Sequence, residues 1–264
     1  MMNPSPLDLV PIVLTKARVL ISNDDGIEAR GLRVLEEVVR PLVGELWVSA
    51  PAEGHSGASA MVSLRREIAI EPRGERRFAV TGRPADSLLA ALRITMADAP
   101  PDLVLSGINH GVNIGGDLIY SGTVGVAIAA ALNRIPAIAL SADHPERQPV
   151  SDATWDDVAS HLPAVLDALC RRGIRRGGAL GVNFPVDVSD PEPLFVRQGT
   201  SGDTMVYRPV PGNGNRYILH HEGGAPGDLD GTDLGAITAG RIGVTPLTID
   251  RTDHALLRRI AEAN

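Results

Sequence analysis

The chain has 264 residues, of which 44% are hydrophobic, and it carries a formal net charge of −7 at pH 7. That length and composition allow one sizeable core, in one domain or slightly more. The acidic balance and the 3% aromatic content argue against a nucleic-acid polymer as partner, because such binding relies on clustered basic residues and aromatic stacking. The single cysteine, Cys170, excludes an internal disulfide framework and fits a reducing compartment.

The N-terminal residues show no targeting segment. Residues 1–16 contain three prolines and lack the basic region with which a secretory signal begins, so we expect a loose extension before the fold. The longest apolar stretch, Val124–Leu140, is interrupted by polar residues and Pro136, which makes it too short and too broken for a membrane span. We therefore expect a cytoplasmic protein with no membrane partner.

Apolar runs and helical periodicities alternate along most of the chain. The predicted strands are Arg18–Ser22, Glu45–Ser49, Leu103–Ser106, Pro136–Ser141 and Ala179–Asn183. The predicted helices between them are Ala29–Val39, Pro84–Met96, Thr123–Leu132 and Thr154–Arg171. Near-continuous apolar strands that alternate with helices are typical of a parallel sheet covered on both faces. The predicted fold class is therefore α/β, a three-layer sandwich with a mostly parallel sheet.

Two segments depart from this alternation. Val62–Ile70 and Arg77–Thr81 look like a small hairpin inserted after the second strand. From Asp187 to Gly231 the chain is rich in Gly and Pro, with strand-like pieces at Leu194–Arg197 and Arg216–Leu219. Such a stretch rarely packs alone, and we expect an extended arm that contacts a neighbouring subunit. A helix, a strand and a helix then close the chain at Asp233–Ala239, Ile242–Leu247 and Asp253–Ala263.

Two adjacent carboxylates, Asp24 and Asp25, follow the first predicted strand and precede a glycine and a helical pattern. This places them in a strand-to-helix turn at the carboxyl edge of a parallel sheet, where open α/β sheets bind ligands. Two neighbouring Asp side chains repel each other, and a hard cation bound between them would neutralise both charges. An Asp-Gly hairpin turn or a helix cap is the alternative. The 3.6-residue period after Gly26 disfavours the hairpin, and capping explains only one of the two carboxylates.

Two further loops should lie at the same sheet edge, because each follows a predicted strand. Residues 50–59 follow the second strand, and residues 106–116, dense in Gly and Asn, follow the third. Small residues permit a close backbone approach to a ligand, and a structureless loop of that length is usually functional. Ser121, Gly122 and Thr123 then precede an apolar helix. They are either ordinary caps or an anion site built from free amides and the helix dipole.

The standard nucleotide fingerprints are absent from the first turn. Gly26 and Gly31 have the glycine spacing of a P-loop, but Leu32 and Arg33 stand where Lys and Ser or Thr are required. No Gly-x-Gly-x-x-Gly follows the first strand, so a redox dinucleotide enzyme is disfavoured.

The motifs as an ordered set resemble those of the SurE family, the survival-protein 5′-nucleotidases. They are Asn23–Ile27, Ala50–Pro51 with Ser56–Ser59, Gly82–Asp86, Ser106–Asn109 with Asn113, and Tyr120–Val124, and the match continues at Val182–Pro185 and Gly240–Leu247. The resemblance covers nearly the whole chain. It implies a Rossmann-like fold, metal-dependent hydrolysis of nucleoside monophosphates, and a homodimer or homotetramer assembled through a C-terminal arm.

The resemblance also implies the site residues. The metal ligands carried over by motif are Asp24, Asp25, Ser56 and Asn109, of which Asp24, Asp25 and Asn109 are assigned as catalytic. All four supply oxygen, which suits one Mg²⁺ or Mn²⁺ rather than zinc. The expected phosphate-binding residues are Asn113, Ser121, Gly122 and Thr123. We divide the chain into an N-terminal extension (1–16), a catalytic core (17–186) and an oligomerisation arm with the closing strand and helix (187–264).

The predicted function is a metal-dependent 5′-nucleotidase, with 3′-nucleotides and short polyphosphates as further candidate substrates. The alternatives are a phosphatase for another small phosphomonoester and a non-catalytic nucleotide or phosphate sensor on the same fold. Attack by an activated water and a phospho-aspartate intermediate both agree with the sequence, and we favour water because a carboxylate held on metal is a poor nucleophile. One departure from the family pattern lies beside the site, where His55 replaces the usual Arg or Gln before the ligand serine.

Overall fold

A computed structural model describes residues 8–144, 151–200, 204–212, 214–222 and 227–262. The strands are β1 (Leu9–Val10), β2 (Arg18–Ser22), β3 (Glu45–Pro51), β4 (Ile70–Pro72), β5 (Arg77–Val80), β6 (Leu103–His110), β7 (Ala137–Ala142), β8 (Ile174–Arg175), β9 (Gly178–Phe184), β10 (Asp190–Phe195), β11 (Thr204–Pro209), β12 (Tyr217–Glu222) and β13 (Arg241–Thr248). The helices are α1 (Arg30–Val39), α2 (Pro84–Ala90), α3 (Gly122–Leu132), α4 (Asp152–Arg172), α5 (Asp233–Thr238) and α6 (His254–Glu262).

A nine-stranded sheet forms the centre of the fold, in the order β10-β13-β9-β7-β6-β2-β3-β5-β4. The adjacent strands from β9 to β5 are all parallel. Strand β13 runs antiparallel to β9, and β4 runs antiparallel to β5. The predicted α/β class with a mostly parallel sheet is therefore confirmed.

Helices cover both faces of the sheet, as the apolar strands require. Val19 and Ile21 of β2 pack in one core cluster together with residues of α1 and α4. Leu20, between them, packs in the second cluster with residues of α2 and α3. Because successive side chains of a strand point to opposite faces, this alternation places one apolar layer on each side of β2. The three-layer arrangement follows.

Some boundaries differ from the sequence-based expectation. Residues 62–69 form no strand, so the predicted hairpin after the second predicted strand begins only at Ile70. It consists of β4 and β5, which pair antiparallel at the edge of the main sheet. The helix predicted to reach Met96 is α-helical only to Ala90 and continues as a π-helical turn, Ala91–Thr95. Residues 1–7 of the predicted N-terminal extension and Ala263, the last residue of the predicted final helix, lie outside the described residues.

Both ends of the predicted catalytic core contact neighbouring parts of the chain. Leu9–Val10 pairs with Ile174–Arg175, and Ile12 is buried in the core, so the described part of the extension packs against the fold. Strands β10 and β13 belong to the main sheet, although both lie beyond residue 186. The hairpin of β11 and β12, in contrast, forms a separate two-stranded sheet. No helix within the described ranges is both long and apolar enough to cross a membrane.

Candidate metal and phosphate site

A cleft of about 450 Å³ opens at the carboxyl ends of three neighbouring strands, β3, β2 and β6. The chain leaves β2 toward β3 through α1 and reaches β6 on the other side of β2, so the cleft lies at a topological switch point of the sheet. Six of the eight predicted site residues line it: Asp24, Asp25, Ser56, Asn109, Asn113 and Ser121. Gly122 and Thr123 lie directly behind Asp24.

The turn that carries the two carboxylates is closed by Asn23. Its side-chain oxygen accepts the Gly26 amide at 3.2 Å, and its side-chain nitrogen donates to the Gly26 carbonyl at 2.9 Å. Gly26 has a φ of +103°, which a residue with a Cβ rarely adopts. The fully buried Asn23 therefore fixes the direction in which Asp24 and Asp25 leave β2.

Asp24 is almost completely buried, with 5% of its surface exposed. The hydroxyl of Thr123 donates a hydrogen bond to its carboxylate. A Cβ at Gly122 would lie 2.6 Å from the same carboxylate, so only glycine allows this approach. Burial raises the pKa of Asp24 to about 6, the Thr123 hydrogen bond opposes the rise, and the charge of Asp25 adds to it.

Burial also raises the pKa of Asp25, and a hydrogen bond from the His110 backbone opposes this rise. Two adjacent carboxylates that are both costly to ionise form a site where a cation would be stabilising, since it offsets desolvation and mutual repulsion together.

The side chain of Asn109 is oriented by its own loop. Its nitrogen donates to the Gly111 carbonyl at 2.8 Å, which leaves the side-chain oxygen as the group available to a ligand. Strand β6 continues to His110, further than predicted, and its register against β7 shifts between Ser106 and Asn109. Asn109 therefore stands on the irregular end of a strand.

The serine loop is tied to the aspartate turn. The His55 amide donates to the Asp24 carbonyl at 2.7 Å, immediately before the exposed Ser56. The guanidinium of Arg83 lies 3.0 Å from Nδ1 of His55. Sequence reasoning missed this cation because Arg83 stands at the start of α2, outside the three ligand loops. Its position in the Gly82–Asp86 motif was the available signal.

Asn113 is held by two strands beyond β6. Its amide donates to the Asn183 side chain at 2.8 Å, and its side-chain nitrogen donates to Ser141 at 2.8 Å. A side-chain amide carries two hydrogens, so one remains for a phosphate oxygen. Asn183 and Ser141 were not predicted as site residues, although Asn183 belongs to the Val182–Pro185 motif.

The start of α3 shows the capping role, while the anion-binding role stays a prediction. Ser121 caps the helix by accepting the Val124 amide at 3.1 Å, and it also lines the cleft. The Thr123 hydroxyl donates its hydrogen bond to the Asp24 carboxylate and not into the cleft. This side chain therefore orients a predicted metal ligand. The hydroxyl hydrogen of Ser121 is available to an anion, while the phosphate contacts of Gly122 and Thr123 stay predictions.

Two histidines and a third carboxylate complete the cleft and were not predicted as site residues. The rings of His110 and His144 stack with centroids 5.0 Å apart, and both residues line the cleft together with Asp117. Desolvation and the neighbouring His144 lower the pKa of His110. Among the described residues that line the cleft, none is Lys or Arg.

The donor set fits a divalent cation with oxygen ligands. Two carboxylates, one hydroxyl and one amide oxygen share the cleft, as Mg²⁺ and Mn²⁺ prefer. In the described part of the chain, no three His, Cys, Asp or Glu residues cluster in a way that could hold a metal ion. A zinc-type His and Cys site is therefore not formed by these residues.

Comparison with known proteins identifies the family of the chain. The family model described as Survival protein SurE matches residues 19–203. The chain is 41% identical over 247 residues to "5′-nucleotidase SurE 1" of Burkholderia lata, covering 91% of this chain and 94% of that one. It is 39% identical over 256 residues to "5′-nucleotidase SurE" of Erythrobacter litoralis, covering 93% and 98%. The crystal structure of the SurE protein from Aquifex aeolicus superposes with a TM-score of 0.77 at 28% identity, covering 93% of this chain and 99% of that one.

Proposed function

The chain belongs to the SurE family, and from this premise we propose that it hydrolyses nucleoside 5′-monophosphates to nucleoside and phosphate as a metal-dependent phosphomonoesterase. The observation that carries the proposal is the presence of four oxygen donors, Asp24, Asp25, Ser56 and Asn109, in one cleft at the switch point of the sheet. The Burkholderia and Erythrobacter relatives are named as 5′-nucleotidases, which supports the substrate class.

Asp24, Asp25, Ser56 and Asn109 would hold one Mg²⁺ or Mn²⁺. When bound, such a cation supplies a Lewis acid for a phosphoryl oxygen and lowers the pKa of a water molecule. The chain itself presents the ligands in a fixed arrangement: Asn23 closes the turn, and Gly111 orients the Asn109 amide. A site fixed in this way costs little reorganisation when the reaction occurs.

The phosphate needs hydrogen-bond donors, because the lining contains carboxylates and, among the described residues, no Lys or Arg. Asn113 and Ser121 line the cleft and each retains a hydrogen to donate. The amides at the start of α3 favour negative charge as well. The guanidinium of Arg83, 3.0 Å from Nδ1 of His55, brings a positive charge to the residue that precedes Ser56.

The surroundings of Asp24 support attack by water over a phospho-aspartate at this position. Asp24 is 5% exposed and accepts the Thr123 hydrogen bond, so its carboxylate is poorly placed to reach a phosphorus atom. Asp25 is less buried than Asp24, so this argument applies to Asp24 alone.

We also propose that the protein assembles as a homodimer or homotetramer through the hairpin of β11 and β12. Tyr207, Tyr217 and Ile218 of this hairpin are each more than half exposed, which is unfavourable for aromatic and apolar side chains in water.

The cytoplasmic location stays a prediction. Burial raises the pKa of the Cys170 thiol to about 12, which makes this cysteine inert and agrees with a packing role.

The test is phosphate release by the full chain with Mn²⁺ or Mg²⁺, compared with EDTA. The panel contains 5′- and 3′-nucleoside monophosphates, other small phosphomonoesters and short polyphosphates. We expect turnover of 5′-monophosphates that EDTA and Asp25→Asn abolish and that Asp167→Asn, on the surface of α4, leaves unchanged. Turnover of a different phosphomonoester alone would favour the alternative phosphatase. Nucleotide binding without any phosphate release would favour a sensor and contradict the proposal.

A further inference from the structure

A second cleft, of about 690 Å³, lies at the edge of the sheet opposite to the metal site. Its wall is formed where β2, β6 and β7 begin, by Lys16 and Ala17, by Asp102 and by Pro136. The metal site lies where β2 and β6 end. The two clefts therefore lie at opposite ends of the same strands, separated by the length of β2 and β6.

The second cleft is basic, although the protein is acidic. Lys16, Arg93, Arg134 and Arg176 line it, and Asp102 is its one carboxylate among the described residues. This gives an excess of three positive charges in a chain whose net charge is −7. A local charge opposite in sign to that of the whole molecule focuses anions at this position.

Little within the described residues neutralises these cations. Lys16 and Arg134 form no ion pair with any described residue, and Arg93 donates to the neutral Asn133 side chain at 2.6 Å. Arg176 has a 3.6 Å ion pair with Asp8, whose side chain is 66% exposed. The Asp102 carboxylate already accepts the Arg18 backbone amide at 2.8 Å. The positive charge of the cleft is therefore largely available to a ligand.

The backbone of Arg134 is in an unusual conformation. Arg134 follows the C-cap of α3 with a φ of +62°, and its amide bonds to Ala131 while the Ile135 amide bonds to Ala130. This is the Schellman arrangement, in which glycine usually occupies the left-handed position. A residue with a side chain costs about 1–2 kcal/mol there, and strain of this kind is an indication of function.

We propose that the basic cleft is a second, non-catalytic binding site for a small anion with several phosphate groups. Four cations distributed around a cavity of this volume exceed what one phosphate can contact at once, whereas a chain of phosphates can span them. Pro100, Pro101 and Pro136 in the wall have fixed φ angles, so the cleft is largely preformed. Inorganic oligophosphates and nucleoside polyphosphates share this chemistry.

The experiment is titration calorimetry of the full chain with inorganic tripolyphosphate and with ATP, in EDTA at low ionic strength. EDTA removes divalent cations from the metal cleft, whose carboxylates then repel polyanions. The test variant is Arg134→Gly, which removes the cation and relieves the backbone, so it should fold at least as well as the wild type. The control is Arg65→Gly, another arginine at positive φ (+60°) that does not line the basic cleft.

We expect tripolyphosphate binding to weaken about tenfold or more in Arg134→Gly and in Lys16→Ala, a size typical of one lost charged hydrogen bond. Arg65→Gly should bind like the wild type, and added salt should weaken all binding. Equal affinity for ATP would assign recognition to the phosphate chain, and tighter ATP binding would assign it to a nucleotide. No binding by the wild type at millimolar ligand, or unchanged binding in Arg134→Gly, would overturn the proposal. Monophosphate hydrolysis should be unaffected in Arg134→Gly, which keeps this test separate from that of the catalytic site.

Discussion

Replacing Asp24 by Asn should make the metal-free protein more stable while it removes the activity. The pKa of this carboxyl rises from 3.8 to about 6 on folding. A difference of that size corresponds to about 3 kcal/mol of folding free energy that the ionised group costs at neutral pH. An amide of the same shape carries no charge and still accepts the Thr123 hydrogen bond, so most of this cost should disappear.

The direction of the pKa shift determines how the stability difference between wild type and Asp24→Asn changes with pH. Because the folded pKa of Asp24 is higher than the unfolded one, its favourable contribution is complete below about pH 4 and is lost as the pH rises through about 6. Wild type and Asp24→Asn should therefore unfold at similar temperatures at pH 4. At pH 7.5 in EDTA the variant should melt about 6 °C higher, given about 2 °C per kcal/mol for a chain of this length.

Thermal unfolding by circular dichroism at both pH values, with and without Mn²⁺, measures this directly. Mn²⁺ should raise the melting temperature of the wild type only, since a ligand stabilises the state that binds it. Asp167→Asn, a substitution of an exposed carboxylate, should change stability by less than about 0.5 kcal/mol. If metal-free Asp24→Asn were less stable than the wild type at pH 7.5, the attributed cost of the buried charge would be wrong.

Three further results are expected. Asp25→Asn should lower turnover by on the order of a hundredfold or more in the phosphate-release assay, because a charged ligand of the Lewis acid is lost. Gly122→Ala should displace the Asp24 carboxylate, which lies 2.6 Å from the added methyl group, and reduce turnover at least about tenfold, with about 1–3 kcal/mol lost in chemical unfolding. Deletion of Thr204–Gly224 should shift the protein to smaller species in size-exclusion chromatography with light scattering.

Each of these has its own control. Metal-dependent turnover retained in both aspartate variants would remove the assignment of the site. Gly214→Ala, at a glycine with no atom within 4 Å of the added group, should be silent; equal losses in both glycine variants would show that the effect is general. A wild-type protein that is monomeric at micromolar concentration would contradict exchange through the arm, which would then be a local flap over the phosphate site.

The ligand loops could be predicted from the sequence because each follows a strand with a strong apolar signal. Val19, Leu20 and Ile21 identify β2, and the rule that parallel strands end at one edge then places Asp24 beside the loops after β3 and β6. The same reasoning could not predict that Arg83 and His144 belong to the surroundings of the site. These residues approach the cleft through side-chain contacts, at 3.0 Å to His55 and by stacking on His110, and periodicity contains no information on such contacts.

The sequence indicated the C-terminal strand at Ile242–Leu247 but not its position in the sheet. Strand β13 follows the Gly- and Pro-rich segment in sequence but inserts between β9 and β10, and neither propensity nor composition determines which edge a late strand joins. The role of Thr123 was ambiguous because a hydroxyl at a helix start is a common cap. Only the fold shows that Ser121 has the capping role and that Thr123 binds Asp24.

Asp233, at the start of α5, has a consequence for how the protein is synthesised. Its buried carboxylate accepts the amides of Gly115 at 2.8 Å and Gly199 at 2.9 Å, and so holds the loop that connects Asn113 to α3. This loop precedes Asp233 by 118 positions. Because translation delivers the N-terminal part of a chain first, a ribosome-bound intermediate possesses the aspartate turn long before the residue that fixes the opposite wall. The loop after Asn113 therefore gains this anchor late in synthesis, and a chain that terminates before Asp233 has the aspartate turn without that support.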